Sequence, residues 1–368
     1  MSTRFRMKKL YYLLGLFLIC GLFTEVKSQD IHFSQFYQSP LNLNPAMTGV
    51  MECNQRLVAN YRNQWSSVLR SNAYNTYSMS YDQRIPSGRN DYFGVGASFW
   101  GDQAGAANYS TVQGRISGSF SKFMSGGRDF SSYLVFGADF GLAQRGIDLD
   151  RLRWGSQHDG MGGYDGTLPS NETFDRDNFL FADVSAGILW FTTWQDGRSI
   201  YMGAAAHHLN RPNQSFFNDN TIELYTKYTL HGGGEIPFSS QFSLIPNAVV
   251  MFQGPSFQLN GGLSSRFQIG ARGDNQSFQI GAWVRLVNNY NLTVSDDDPE
   301  SFQEDIKLGA DAVILTARFD FEHFGIGFSY DINVSDLSTV SNGNGAFEFS
   351  LIYNICGPER RGVYCPRW

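Results

Sequence analysis

Apolar and polar residues take turns along run after run of this chain, and a period of two confines such runs to strands with one dry and one wet face. Leu134, Phe136, Ala138, Phe140 and Leu142 alternate with Tyr133, Val135, Gly137, Asp139 and Gly141. Phe278, Ile280, Ala282, Val284 and Leu286 alternate with Gln279, Gly281, Trp283, Arg285 and Val287, and Phe324, Ile326, Phe328 and Tyr330 with Gly325, Gly327, Ser329 and Asp331. Each run is close to the roughly ten residues of a tilted strand that crosses a bilayer. The wet faces suit a watered lumen, and would suit the exterior of a soluble barrel equally well. The last run sets Phe347, Phe349, Leu351 and Tyr353 against Glu348 and Ser350, with Ile352 a mild exception. It reads as the closing stave of an outer-membrane β-barrel, paired onto the first strand so that no sheet edge faces lipid.

About 14 such runs fall between residues 55 and 355. The even number suits one closed antiparallel transmembrane barrel. Connections after odd-numbered runs are often long, at roughly 144–179, 209–224, 289–305 and 333–345, and those after even-numbered runs are mostly short. Outer-membrane barrels sort their connections this way, with short periplasmic turns and long extracellular loops, and a soluble sandwich has no reason to. Composition agrees: charged residues are 17% and aromatic residues 15%, fewer charges than the roughly 25% of soluble domains.

Residues 1–28 read as a secretory signal peptide. Arg4, Arg6, Lys8 and Lys9 precede an apolar stretch over 10–22, and Val26-Lys27-Ser28 offers a small-residue cleavage site. That stretch is short of the roughly 20 residues a spanning helix needs. Cleavage removes five bases and one acid, so the formal charge moves from -6 to -10. An acidic mature chain argues against nucleic acid as a partner. Of the remaining cysteines, Cys356 and Cys365 are expected to staple a short tail over 356–368, leaving Cys53 free. Residues 29–54 carry two prolines and several asparagines, and are expected to form an irregular leader inside the barrel or across its periplasmic mouth.

No motif points to catalysis, a cofactor or a metal. His207 and His208 are neighbours on a strand, so they face opposite ways and read as structural polar residues. The acidic run Asp296, Asp297, Asp298, Glu300, Glu304 and Asp305 lacks the spacing of a calcium loop and reads as solvated. Loop 144–179 holds His158, Asp159 and several further acids, the raw materials of a hydrolase, without a Gly-x-Ser-x-Gly elbow. Arg272-Gly273-Asp274 reads as a turn.

Several phrases together resemble one family. Phe33-Ser34-Gln35, Leu43-Asn44-Pro45-Ala46 and Tyr61-Arg62-Asn63-Gln64-Trp65 open the match. Gly203, His208-Leu209-Asn210-Arg211-Pro212 and Ser215-Phe216 continue it, and Phe347-Glu348-Phe349-Ser350-Leu351 with Arg361-Gly362-Val363-Tyr364-Cys365-Pro366 close it. The combination is similar to the PorP/SprF family of Bacteroidetes. That resemblance implies an outer-membrane protein of the type IX secretion and gliding machinery, working with a cognate secreted surface protein, often a large adhesin, in its export or its anchoring through a C-terminal domain. It implies other machinery components at the periplasmic side, and it offers no active site and no cofactor. Asn44, Pro45, Arg62, Trp65, His208 and Pro212 are then structural motif residues. Trp154, His158, Asp159, Tyr164, Arg211, Phe216 and Phe217, on extracellular loops, are the candidate partner contacts. The rival readings are a diffusion porin, a membrane-embedded hydrolase and a soluble all-β domain.

Overall fold

The computed structural model describes residues 30–357, apart from 162, 218, 220–221, 270–275 and 295–301, together with Pro366. The signal segment, Arg272-Gly273-Asp274, most of the acidic run and Cys365 lie outside the described residues.

Fourteen antiparallel strands close into one barrel in which every strand pairs with its sequence neighbours. They are β1 (Gln55–Gln64), β2 (Tyr74–Ser87), β3 (Asp91–Ala104), β4 (Tyr109–Gly126), β5 (Phe130–Gly146), β6 (Asn178–Trp194) and β7 (Ser199–His207). β8 (Lys227–Pro237), β9 (Phe242–Gln253), β10 (Ser256–Gln268), β11 (Gln276–Val294), β12 (Phe302–Phe321), β13 (Phe324–Asn333) and β14 (Asn344–Ile355) complete the ring. Closure is an in-register ladder from Gln55 opposite Ile355 to Gln64 opposite Ala346, so the first and last strands leave no edge.

The pleat explains which residues face out. Ile116, Leu142 and Met202 are 67%, 62% and 69% exposed, and Phe136, Phe140, Ile280, Ile326, Phe349 and Leu351 join them in a continuous outward apolar surface. Water would not tolerate an apolar patch of that extent, whereas hydrocarbon requires it. The soluble all-β alternative is therefore excluded. The inward faces carry Arg62, Arg115, Asp139, Asp183, Arg285, Asp331 and Glu348, all buried. Ile352 also points inward, at 3% exposure, so the last strand keeps its alternation and only the chemistry of one inward position differs.

One expectation about connections needs correction. Residues 289–294 and 302–305 are not loop: the backbone ladder of β11 with β12 continues out to Val294 opposite Phe302. The connections 105–108 and 254–255, after β3 and β9, are short, so length follows strand parity often but not throughout. The long connections 147–177 and 208–226 do follow β5 and β7, at the end called here the outer mouth.

The lumen is not empty. Asp30 N donates to Gln253 Oε1 near the outer mouth (2.8 Å), and Asn54 N donates to Ile355 O at the inner mouth (3.1 Å). Between them the leader descends through the bore as short turns, and Phe36, Tyr37, Leu41, Ala46, Met47 and Val50 are buried there. A disulfide links Cys53 to Cys356. The expected Cys356–Cys365 pairing is overturned, because Cys356 has its partner 303 residues upstream. Barrel closure brings the two ends of the chain together at the β1–β14 seam, which sequence spacing does not reveal. Mobility on a non-reducing gel should change on Cys53→Ser or Cys356→Ser and stay as wild type on Cys365→Ser; a shift for Cys356→Ser and Cys365→Ser with none for Cys53→Ser would reverse that pairing.

Candidate functional site: a plugged bore and an aromatic outer rim

At two wall glycines the leader's backbone comes too close to admit a side chain. A Cβ on Gly137 of β5 would lie 2.5 Å from the backbone of Ala46. A Cβ on Gly94 of β3 would lie 2.1 Å from Thr48 O. Any larger residue at either position must displace the leader. Asn44 and Pro45 fit between these contacts. Asn44 Oδ1 accepts from Ala46 N (2.8 Å) and so caps the turn Pro45–Met47, which has Pro at its first position, as helix starts favour. Its Nδ2 donates outward to Ile188 O (3.0 Å) and Ala204 O (3.3 Å) on β6 and β7.

Three buried charge clusters fix the leader to the wall. Near the outer mouth, Asp30 meets Lys227 Nζ at 2.9 Å and His208 Nε2 at 3.3 Å, and His208 Nδ1 lies 2.9 Å from Asp183 Oδ1. In mid-bore, Glu348 accepts from Ser34 N (2.6 Å), Gln35 N (3.0 Å) and Arg62 Nη1 (2.6 Å). Beside it Asp331 pairs with Arg285 (2.6 Å) and Arg62 (3.2 Å) and accepts from Ser34 Oγ (2.8 Å). Lower down, Arg56 makes a two-pronged contact with Asp82 (3.0 and 2.7 Å), and the same carboxylate accepts from Gly49 N at 2.8 Å. Tyr37 stacks on Trp283 with centroids 5.3 Å apart, and Phe36 meets that indole edge-on at 5.8 Å.

The motif residues take distinct places. Arg62 stands in the mid-bore cluster. Trp65 turns the chain at the outer end of β1 in a left-handed conformation (φ 59°), its N donating to Gly345 O (2.8 Å). The expectation that His207 and His208 face opposite ways is overturned. β7 ends at His207, His208 takes a left-handed turn (φ 59°), and both rings point into the bore at 1% and 2% exposure. Pro212 is buried and its carbonyl accepts from Leu224 N (3.0 Å), while Arg211 is exposed. Asp82, Asp183, Asp331 and Arg285 were not singled out from sequence as anchoring groups. Their signal was a charged side chain at an inward position of a strand whose outward positions are apolar.

At the outer mouth, loops 147–177 and 208–226 pack into one platform. Arg176 Nη2 donates to Ser215 O (2.6 Å) and Arg176 N to Phe216 O (3.3 Å). Phe174 stacks on Phe217 (5.4 Å) and meets Trp154 (5.7 Å), and Phe216 meets Phe179 (5.2 Å). Arg153 lies 4.9 Å over the ring of Tyr164, which also touches His158 (5.4 Å). Met161, Tyr164, Leu168, Leu209, Phe217 and Ile222 are left exposed on this platform. Asp159 Oδ1 accepts from the amides of Met161 and Gly163, both at 2.8 Å. Those bonds hold its carboxyl below the usual range. Among the described residues no group of three or more His, Cys, Asp or Glu is arranged to hold a metal.

A closed barrel with an apolar outer surface, a bore filled by its own leader and an aromatic outer rim defines an outer-membrane β-barrel protein. The chain belongs to the PorP/SprF family, whose model, described as type IX secretion system membrane protein PorP/SprF, matches residues 25–353. No curated protein matches it. Similar solved structures include the CymD monoaromatic hydrocarbon channel, at 12% identity and a TM-score of 0.42 over 87% of this chain and 93% of that one. Another is the Ralstonia pickettii toluene transporter TbuX, at 11% identity and a TM-score of 0.43 over 86% of this chain and 91% of that one. A third is the Pseudomonas putida toluene transporter TodX, at 10% identity and a TM-score of 0.42 over 86% and 92%. At these values the likeness says nothing about function.

Proposed function

We propose that this protein is a non-enzymatic anchor in the outer membrane that serves the export or surface retention of a cognate type IX secreted protein, through the partner's C-terminal domain. The observation that carries the reading is the filled bore. A barrel whose lumen is occupied by its own residues 30–54 offers its outer rim, not a passage, to a macromolecule. Family membership supplies the secretion context, and the apolar side chains left exposed on the loop platform supply a surface that a partner would cover. Trp154, Tyr164, Phe216, Phe217 and Arg211 are the contacts expected to matter, with His158 and Asp159 shaping the loop that carries Tyr164. The inner mouth, with the Cys53–Cys356 bridge and the C-terminal tail, is the side offered to periplasmic components of the machinery.

Replacing residues 150–175 by a short Gly-Ser turn leaves β5 and β6 whole. The variant should insert and fold normally, yet release the secreted partner into the medium. Surface retention equal to wild type in that variant would remove the support for this reading.

A further inference from the structure

The barrel wall has a notch at its outer rim. β6 runs from Asn178, whereas its pairing with β7 covers only Ala186–Thr193 on the β6 side, opposite Ala206 to Ser199. Above that ladder the chain supplies a partial substitute. Leu209 N donates to Val184 O (2.9 Å), and the Asn210 side chain accepts from Val184 N (3.1 Å) and donates to Ala182 O (2.7 Å). There the substitute stops. Alternation along the strand directs the N–H of Ala182 and the N–H and C=O of Leu180 to the same side as Val184. Among the described residues nothing is bonded to them on that side.

Beyond Asn210, the described residues Pro212, Ser215 and Phe216 turn over the bore rather than along this edge. Phe216 packs on the inward ring of Phe179, and Pro212 and Ser215 are buried. Leu180 is left 75% exposed beside the unpaired groups. Depth decides what medium they meet. A tilted strand climbs ~2.5 Å per residue, so Ala182 stands about 30 Å above Trp194 at the inner end, beyond an apolar band about 25 Å tall. The edge therefore faces water at the outer rim, where a free edge is a template for another chain.

We propose that residues 178–182 form a strand-addition site, onto which an extended segment of the secreted partner polypeptide docks in the place β7 vacates. Backbone hydrogen bonds to Ala182 N, Leu180 N and Leu180 O set the register, and an apolar side chain of the added strand covers Leu180. The Asn210 side chain marks where the site begins. This inference rests on the anchoring role proposed above and names the way the partner is held.

Leu180→Pro removes one edge donor while leaving the bonds of β6 to β5, which use the odd-numbered residues, in place; proline is tolerated at such an edge position. Surface-retained partner should fall at least tenfold in Leu180→Pro and stay within twofold of wild type in Leu180→Thr. Hydrogen exchange on native outer membranes, where the partner is present, should show the Leu180 and Ala182 amides protected, and the purified barrel should lose that protection. Retention unchanged in Leu180→Pro, or equal exchange in the two preparations, overturns the proposal. So does protection that survives purification and disappears on dilution, which would assign the edge to a second copy of this chain. Loss of partner on removing residues 150–175 with normal retention in Leu180→Pro would spare the anchoring role and sink strand addition alone.

Discussion

Gly137→Val should turn a silent barrel into a conducting one. In planar bilayers the wild-type protein is expected to show no steady conductance, because residues 30–54 occupy the bore. At position 137 a Cβ would sit 2.5 Å from the backbone of Ala46, a separation that real Cβ atoms essentially never show. Neither side can yield cheaply: the strand is held by two ladders, to β4 and β6, and Ala46 is held by the Asn44 cap and the Pro45 turn. Overpacking of this kind costs ~1–3 kcal/mol even where side chains can move, and here only backbone can. The expected result is a displaced leader, read as steady conductance and as chymotryptic cleavage near Phe36 and Tyr37 in folded barrels. Gly94→Val should act alike through Thr48. The Cys53–Cys356 bridge holds the leader's lower end, so a reducing agent should increase the effect. Wild-type conductance of porin size, or a silent Gly137→Val barrel, would contradict the plug.

The architecture could be read from the sequence wherever lipid imposes a pattern. Phe136, Phe140 and Leu142 face out because the pleat and the hydrocarbon demand it, and the inward Asp139 opposite them is wet for the same reason. Once a strand rises above the bilayer, that demand ends. β11 and β12 continue to Val294 and Phe302 through Asn288, Asn289, Asn291 and Glu304, a polar stretch that looks like loop. The prolines and asparagines of residues 29–54 do point to an irregular leader inside the barrel or across its mouth, but how the wall grips it was hidden for a different reason. Its fit is made of glycines on β3 and β5 and of backbone carbonyls on β6 and β7, each unremarkable in its own strand and meaningful only after closure. The same closure sets Cys53 beside Cys356, when proximity in sequence favours Cys365. His208 was misjudged because alternation assumes a strand, and β7 stops one residue before it. On the rim, the aromatic residues of the long loops were visible as candidates, but the notch beside β7 was not. It depends on β7 being shorter than β6, a difference in pairing that no residue announces.

Glu348→Ala should be the most destabilising single substitution in the bore. Its carboxylate accepts from the amides of Ser34 and Gln35 and from Arg62, and it is 2% exposed. Removing one partner of a buried ion pair costs ~3–5 kcal/mol, because the other charge remains buried. Each backbone amide left without an acceptor adds about 1–3 kcal/mol, although terms at one site do not simply add. Arg62 keeps Asp331 at 3.2 Å, which moderates the loss without restoring the two amides. A total above ~4 kcal/mol is expected for Glu348→Ala, and roughly half of it for Glu348→Gln, which keeps one carbonyl acceptor and loses the charge. The measurement is urea or thermal unfolding of the detergent-folded barrel, followed by heat-dependent gel mobility. Arg62→Met combined with Glu348→Ala separates the two contributions. If the ion pair dominates, the double variant should be more stable than Glu348→Ala alone, since the stranded guanidinium is gone. If the amides dominate, the second substitution should bring no recovery. A Glu348→Ala barrel within about 0.5 kcal/mol of wild type would mean that the leader is not anchored through this carboxylate. The hold would then lie with Asp30 at the outer mouth, the Asn44 bonds to β6 and β7, Gly49 on Asp82 and the Cys53–Cys356 bridge.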